Sequence, residues 1–109
     1  HGDVCAGVAI GVRIAEAATR ILDCDLRHPG VVVEPGADPC ILDALIGITG
    51  ATPGNRRLRC SEGRRYAVSS SEKEVVFRLL AAPQSVDDIF AAEETSLFEC
   101  TVHNRPQPK

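Results

Sequence analysis

The 109-residue chain contains 44% hydrophobic and 25% charged residues and carries a formal net charge of −3, which suits one globular domain with one hydrophobic core. The small net charge gives no reason to expect nucleic-acid binding, and no apolar run reaches the roughly 18 residues of a membrane span. The N-terminus also lacks the basic and apolar pattern of a signal peptide. We therefore expect a soluble, cytoplasmic protein.

The first predicted element is an amphipathic helix from Gly7 to Leu22. Polar residues recur in this segment at three- and four-residue spacing, which defines one solvent-facing stripe among small and branched apolar side chains. Because Gly7 and Gly11 lack side chains, another backbone can approach this helix closely.

A short strand and a second helix are predicted next. Val31–Val33 is a β-branched run that is typical of a buried strand. Asp38 suits the N-cap of the following helix, Pro39 its first position and Gly50 its stop. This assignment places Cys40 in the first helical turn.

The second half of the chain changes to an alternating pattern, which predicts an antiparallel meander. Its three segments cover residues 57–60, 65–69 and 74–79. A short helix from Ser85 to about Ala92 and a last strand, Leu97–Val102, complete the pattern. We predict one α+β domain over residues 1–103, with helices packed on a mixed, largely antiparallel β-sheet, and a frayed tail over residues 104–109.

The five cysteines argue against a disulfide framework, because their number is odd and no Cys-x-x-Cys pair is present. Reduced thiols are therefore expected. Cys24, Cys60 and Cys100 have no partners at ligand spacing, and we interpret them as packing residues.

The opening residues form the first candidate site. His1, Asp3 and Cys5 bring three kinds of metal ligand together just before a helix. The N–H groups and the positive dipole end of that helix would stabilise a thiolate at Cys5. The alternative interpretation is that Cys5 is a small buried hydrophobic residue.

Cys40 forms the second candidate site, with Asp43 three residues further along the same helix face. Alone, this pair suits an ordinary helix start with an exposed carboxylate. Two thiols at helix starts, together with His1, would give three ligands and an open fourth position, which is the arrangement of a catalytic zinc site.

Taken in order, these segments resemble the FmdE-like family, which takes its name from formylmethanofuran dehydrogenase. Residues 1–7 are similar to the family's His-Gly-His-x-x-Cys-Pro-Gly opening, with one residue fewer before the Cys. Residues 33–34 and 40–44 match its Val-Glu and Cys-x-x-Asp-Ala segments, and residues 49–54 match Thr-Gly-Cys-Thr-x-Gly. The similarity spans nearly the whole chain.

The resemblance implies an α+β core, often dimeric, with a metal site formed by His1, Cys5 and Cys40 and with Asp43 as a nearby polar group. Family membership says more about this site than about a substrate. The chain departs from the pattern, because Asp3 replaces a His, Ala51 a Cys and Ala6 a Pro. We therefore expect a ligand set that is harder, weaker or differently selective than the usual one of the family.

Three functions are consistent with these residues. The leading hypothesis is a homodimeric protein that binds Zn²⁺ or another divalent transition metal; in an enzyme, the metal would activate water or a small-molecule substrate while Asp3 or Asp43 transfers protons. The second is metal-independent thiol redox or sulfur-transfer chemistry at Cys5 and Cys40. The third is a non-catalytic accessory protein that docks onto an acidic partner through the arginine-rich hairpin Arg56–Arg65.

Overall fold

The structure is a computed structural model that describes residues 6–59, 63–80 and 85–104. The described residues form helices and strands in the order expected of an α+β protein, and the predicted fold class is confirmed. In chain order the elements are α1 (Ala6–Leu22), β1 (Val32–Glu34), α2 (Pro39–Thr49), a 3-10 turn (Pro53–Asn55), β2 (Arg65–Ser69), β3 (Lys73–Leu79), α3 (Val86–Ala91), α4 (Glu94–Leu97) and β4 (Phe98–Asn104).

The four strands form one sheet in the order β1-β2-β3-β4, and every neighbouring pair is antiparallel. The register aligns Tyr66 of β2 with Phe77 of β3, which in turn faces Cys100 of β4. Because side chains alternate along a strand, this row shares one face of the sheet.

One predicted strand is wrong. The described part of the predicted strand 57–60, residues 57–59, does not open the meander, because Leu58 instead forms an isolated parallel bridge with Val33 of β1. Backbone bonds flank this bridge, as Val33 N–H donates to Arg57 O at 2.7 Å and Arg59 N–H donates to Val33 O at 2.9 Å. The meander therefore consists of β2, β3 and β4.

α1 and α2 run parallel and start at the same end of the molecule. A β-carbon at Gly7 would lie 2.6 Å from the Cys40 Cβ, and one at Gly11 would lie 2.6 Å from the Ala44 Cβ. Both contacts advance by one helical turn in the same direction, which fixes the parallel orientation. The predicted use of the two glycines for close approach is confirmed.

The buried face of α1 covers the sheet and forms the core with it. Ile14 is fully buried there, as are Phe77 and Val75 of β3. The Phe77 ring meets the Phe98 ring edge to face, with centroids 5.0 Å apart. Such pairs add specific geometry to the burial of apolar area.

Candidate functional site

The starts of α1 and α2 are in direct contact. Cys40 lies half-buried in the first turn of α2, and its Cβ faces the bare backbone of Gly7. The Asp38 Oδ1 atom lies 3.1 Å from the position of a β-carbon at Gly7. The first turn of α1 therefore lies beside Cys40.

Asp38 connects Cys40 to the sheet. Its Oδ1 atom accepts hydrogen bonds from the Cys40 N–H at 2.8 Å and from the Ile41 N–H at 3.2 Å, which confirms Asp38 as the N-cap of α2. Its own N–H donates to the Tyr66 hydroxyl oxygen at 3.2 Å. Hydrogen bonds through Asp38 thus link the start of α2 to the hydroxyl group of Tyr66.

A cavity of about 490 Å³ opens between these groups, and we call it the helix-start cavity. Asp38, Arg64 and Tyr66 supply its polar side chains. The rest of its lining is aliphatic or glycine: Ala6, Gly7, Ile10, Ala37, Ile41, Gly63, Leu79 and Leu80. The cavity therefore has an apolar wall with a few polar groups, as small-molecule sites usually do.

Tyr66 is the buried polar group of this cavity, with 1% of its surface exposed. Burial raises the pKa of its hydroxyl, and the Asp38 carboxylate also raises it, whereas the hydrogen bond from Asp38 and the charge of Arg64 act in the opposite direction. The hydroxyl is therefore protonated at neutral pH and can donate a hydrogen bond.

A comparison with known protein families shows to which family the chain belongs. A family model described as "FmdE, Molybdenum formylmethanofuran dehydrogenase operon" matches residues 1–105. The chain belongs to the FmdE family. A comparison with curated proteins finds no match. Over the described ranges, no helix has the length and apolar character needed to cross a bilayer.

The predicted site of this FmdE family protein lies only in part within the described residues. His1, Asp3 and Cys5 fall outside them, whereas Cys40 lies at the contact between the two helix starts. Asp43 is exposed on α2, and it is Asp38 that contributes the carboxylate of the cavity lining. Residues 6–59, 63–80 and 85–104 contain no group of three His, Cys, Asp or Glu residues that could hold a metal ion. The proposed ligand set combines residues inside and outside these ranges, so it stays a prediction.

The other described cysteines lie away from the helix starts. Cys24 packs against the edge of the core, as predicted, whereas Cys100 is exposed on β4, so its assignment as a packing residue is wrong. Partial desolvation raises the pKa of both thiols, and nearby acidic residues raise it further, although Arg20 acts in the opposite direction on Cys100. Both thiols are therefore protonated at neutral pH and are weak nucleophiles.

The arginine-rich segment is partly engaged within the fold. The Arg57 guanidinium donates to the carbonyl oxygens of Val31, Leu26 and Thr49 at 2.8–2.9 Å. Arg65 pairs with Glu34 at 3.4 Å and with Glu74 at 3.8 Å. These two arginines have partners within the fold, so they are not free charges on a solvated hairpin.

Sequence reasoning missed Tyr66 as a member of a cavity and named Arg64 only as part of the arginine-rich segment. The available signal was composition, because Tyr66 is the single tyrosine of a chain without tryptophan. Its function could not be inferred from spacing, since its hydrogen-bond partner, the Asp38 N–H, lies 28 residues upstream.

Proposed function

We propose that this FmdE family protein binds Zn²⁺ or a similar divalent transition metal through His1, Cys5 and Cys40, with Asp3 as a fourth or outer ligand. The observation that carries the proposal is the contact between Gly7 and Cys40. It sets Cys40 beside the point where the chain enters α1.

Covalent geometry connects this contact to the proposed ligands. Only Ala6 separates Cys5 from Gly7, and two trans peptide units span at most about 7.6 Å between Cα atoms. Thiolates and imidazole are the ligands that Zn²⁺ prefers, so the chemistry of the donor set fits this metal. Three protein ligands would leave one position open for water or substrate.

The neighbouring cavity supports a catalytic or ligand-binding site over a purely structural metal site. When bound, the metal would act as a Lewis acid towards a substrate oxygen or water. The chain's own residues would do the rest: Tyr66 donates a hydrogen bond, the aliphatic lining excludes water, and Asp38 holds the start of α2. Asp3 and Asp43 stay the proposed groups for proton transfer.

Elemental analysis of purified variants tests the metal assignment. Cys5→Ser and Cys40→Ser should each lose stoichiometric Zn²⁺ after dialysis, because a hydroxyl is a poor ligand for this ion. Cys100→Ser is the matched control and should keep the wild-type metal content, since Cys100 is exposed on the distant strand β4. Full metal content in Cys40→Ser would refute the proposal.

The same contact favours a second candidate, in which Cys5 and Cys40 form a metal-independent dithiol for redox or sulfur-transfer chemistry. Alkylation distinguishes the two candidates. Protection of both thiols by added Zn²⁺ supports the metal site, whereas fast alkylation that is indifferent to Zn²⁺ and to chelator supports the dithiol.

Docking onto an acidic partner through the arginine-rich segment stays a third proposal. Of its described arginines, Arg56, Arg59 and Arg64 have exposed side chains, whereas Arg57 and Arg65 have the internal partners described above. Capture of such a partner should weaken with salt and with Arg56→Gln and Arg59→Gln, while Cys40→Ser leaves it unchanged.

We also propose a cytoplasmic homodimer. The edge of β4 supports the dimer, because no strand within the described ranges pairs with its outer side and Val102 is 46% exposed there. Light scattering should give twice the chain mass, and Val102→Lys should shift the protein towards monomer. A monomer at all concentrations would exclude the dimer.

A further inference from the structure

We propose that the helix-start cavity binds a small organic acid, whose carboxylate accepts a hydrogen bond from Tyr66 and pairs with Arg64 while its short apolar stem lies against the aliphatic wall. As an assignment of substrate class this inference rests on the proposed function. Binding itself requires only described residues and no metal.

The first argument is the unused proton of Tyr66. The hydroxyl oxygen accepts the Asp38 N–H, but within the described ranges no group accepts the hydroxyl proton. Asp38 and Gly63 lie beside the hydroxyl end of the Tyr66 ring, and both line the cavity. Gly36 has no side chain and therefore leaves room for this end of the ring. The O–H therefore has the cavity as its free direction, and a buried donor gains most from an acceptor there.

The second argument is charge. Arg64 lines the cavity and, among the described residues, forms no ion pair with an acidic side chain. The Asp38 carboxylate opposes an anion, but two N–H groups at the start of α2 already hold it, and the helix dipole offsets part of its charge. Two free donors, one of them cationic, select a carboxylate acceptor.

The third argument is shape. The cavity volume of about 490 Å³ lies within the range of small-molecule sites, about 300–1,000 Å³. Ile10, Ile41 and Leu79 make much of the cavity wall apolar, which favours a stem without polar groups. A compact branched acid such as isobutyrate presents both features.

Calorimetric titration with isobutyrate tests the inference on metal-free protein and again after addition of Zn²⁺. Wild type should bind saturably, and Tyr66→Phe and Arg64→Gln should each weaken binding by about tenfold, because each removes one donor to a charged acceptor. Arg65→Gln is the matched control: Arg65 is the next residue and does not line the cavity, so its removal should leave affinity unchanged.

Two companion probes sharpen the result. Isobutyramide keeps the shape and the carbonyl oxygen but lacks the charge. It should bind wild type more weakly than isobutyrate does, and it should bind Arg64→Gln with the same affinity as isobutyrate does. Acetate lacks the stem and should also bind more weakly. Equal affinity of all variants, or an equal loss in Arg65→Gln, would show general anion attraction and overturn the inference.

The outcome is separable from the metal proposal. Absence of isobutyrate binding to both metal-free and Zn²⁺-treated protein overturns the organic-acid site, while the zinc content of Cys40→Ser still decides the metal site. Isobutyrate binding to a protein that takes up no added zinc supports the cavity assignment, and the missing zinc, not the isobutyrate binding, counts against the metal.

Discussion

The ionisation of Tyr66 can be followed by ultraviolet absorbance without interference, because it is the single tyrosine and the chain has no tryptophan. Burial raises its pKa above the ordinary value, so in the unfolded chain the hydroxyl loses its proton at lower pH than in the folded chain. The unfolded state then binds fewer protons, and stability falls as pH rises above about 10. Ultraviolet absorbance of the phenolate should follow Tyr66 alone and show a late titration.

The charges around Tyr66 allow a test of the direction in which its pKa shifts. Arg64→Gln should raise the Tyr66 pKa further, because the positive charge of Arg64 favours the phenolate. Arg78→Gln, on the outer face of the sheet, should have little effect. A Tyr66 titration at the ordinary pKa in the folded protein would contradict its burial, and a lower pKa in Arg64→Gln would contradict the placement of Arg64.

Gly7 and Gly47 offer a matched pair of helix glycines. A β-carbon at Gly7 would lie 2.6 Å from the Cys40 Cβ, whereas one at Gly47 would meet nothing within 4 Å. We expect Gly7→Ala to lower the free energy of unfolding by about 1–3 kcal/mol through overpacking. Gly47→Ala should raise it by roughly 0.5–1 kcal/mol, since Ala loses less entropy in a helix.

Urea denaturation of both variants checks the pair. Stabilisation by Gly7→Ala would mean that the two helix starts do not touch, and would remove the observation on which the metal proposal depends. The sequence predicted a close approach at Gly7 because a small residue permits one. It could not name Cys40 as the neighbour, because that contact is made between segments 33 residues apart.

At the scale of elements, α2 shows what local chemistry can predict. Asp38, Pro39 and Gly50 occupy the cap and stop positions assigned from the sequence, and Gly50 adopts a positive φ of 73°. The strand at residues 57–60 was mispredicted because alternation also fits a segment that only touches a sheet edge. The bridge between Leu58 and Val33 depends on how the loop after α2 packs, and no local sequence pattern encodes that packing.

Arg57 joins three elements, since its guanidinium binds carbonyls at the end of α2, before β1 and after α1. Arg57→Lys should lower the free energy of unfolding by about 2 kcal/mol, because an ammonium cannot reach three carbonyl oxygens in one plane. Arg59→Lys is the control, as the Arg59 side chain is exposed and only its backbone N–H bonds to β1. Equal denaturation midpoints would refute this role.

For the whole molecule, the parallel start of α1 and α2 places Cys40, the N-cap Asp38 and Tyr66 at one end of the sheet. The core beneath them is continuous, so the cavity is framed by buried elements on the α1, α2 and β2 sides. Alternation and caps predicted these elements one by one. Their convergence at one end depends on helix-to-helix contacts, so only the family resemblance indicated it in advance.

A metal held between two helix starts should stabilise the fold as a whole. At a free Zn²⁺ concentration one hundred times its dissociation constant, linkage adds about 2.7 kcal/mol to the free energy of unfolding. For a domain of this size that corresponds to a rise in Tm of roughly 12 °C. Wild type and Cys100→Ser should show this rise in a thermal scan, and chelator should reverse it. In Cys40→Ser, added Zn²⁺ should change Tm little, because the loss of one thiolate weakens metal binding while the core is untouched. A rise in Tm equal to that of wild type would place the stabilising ion elsewhere on the protein.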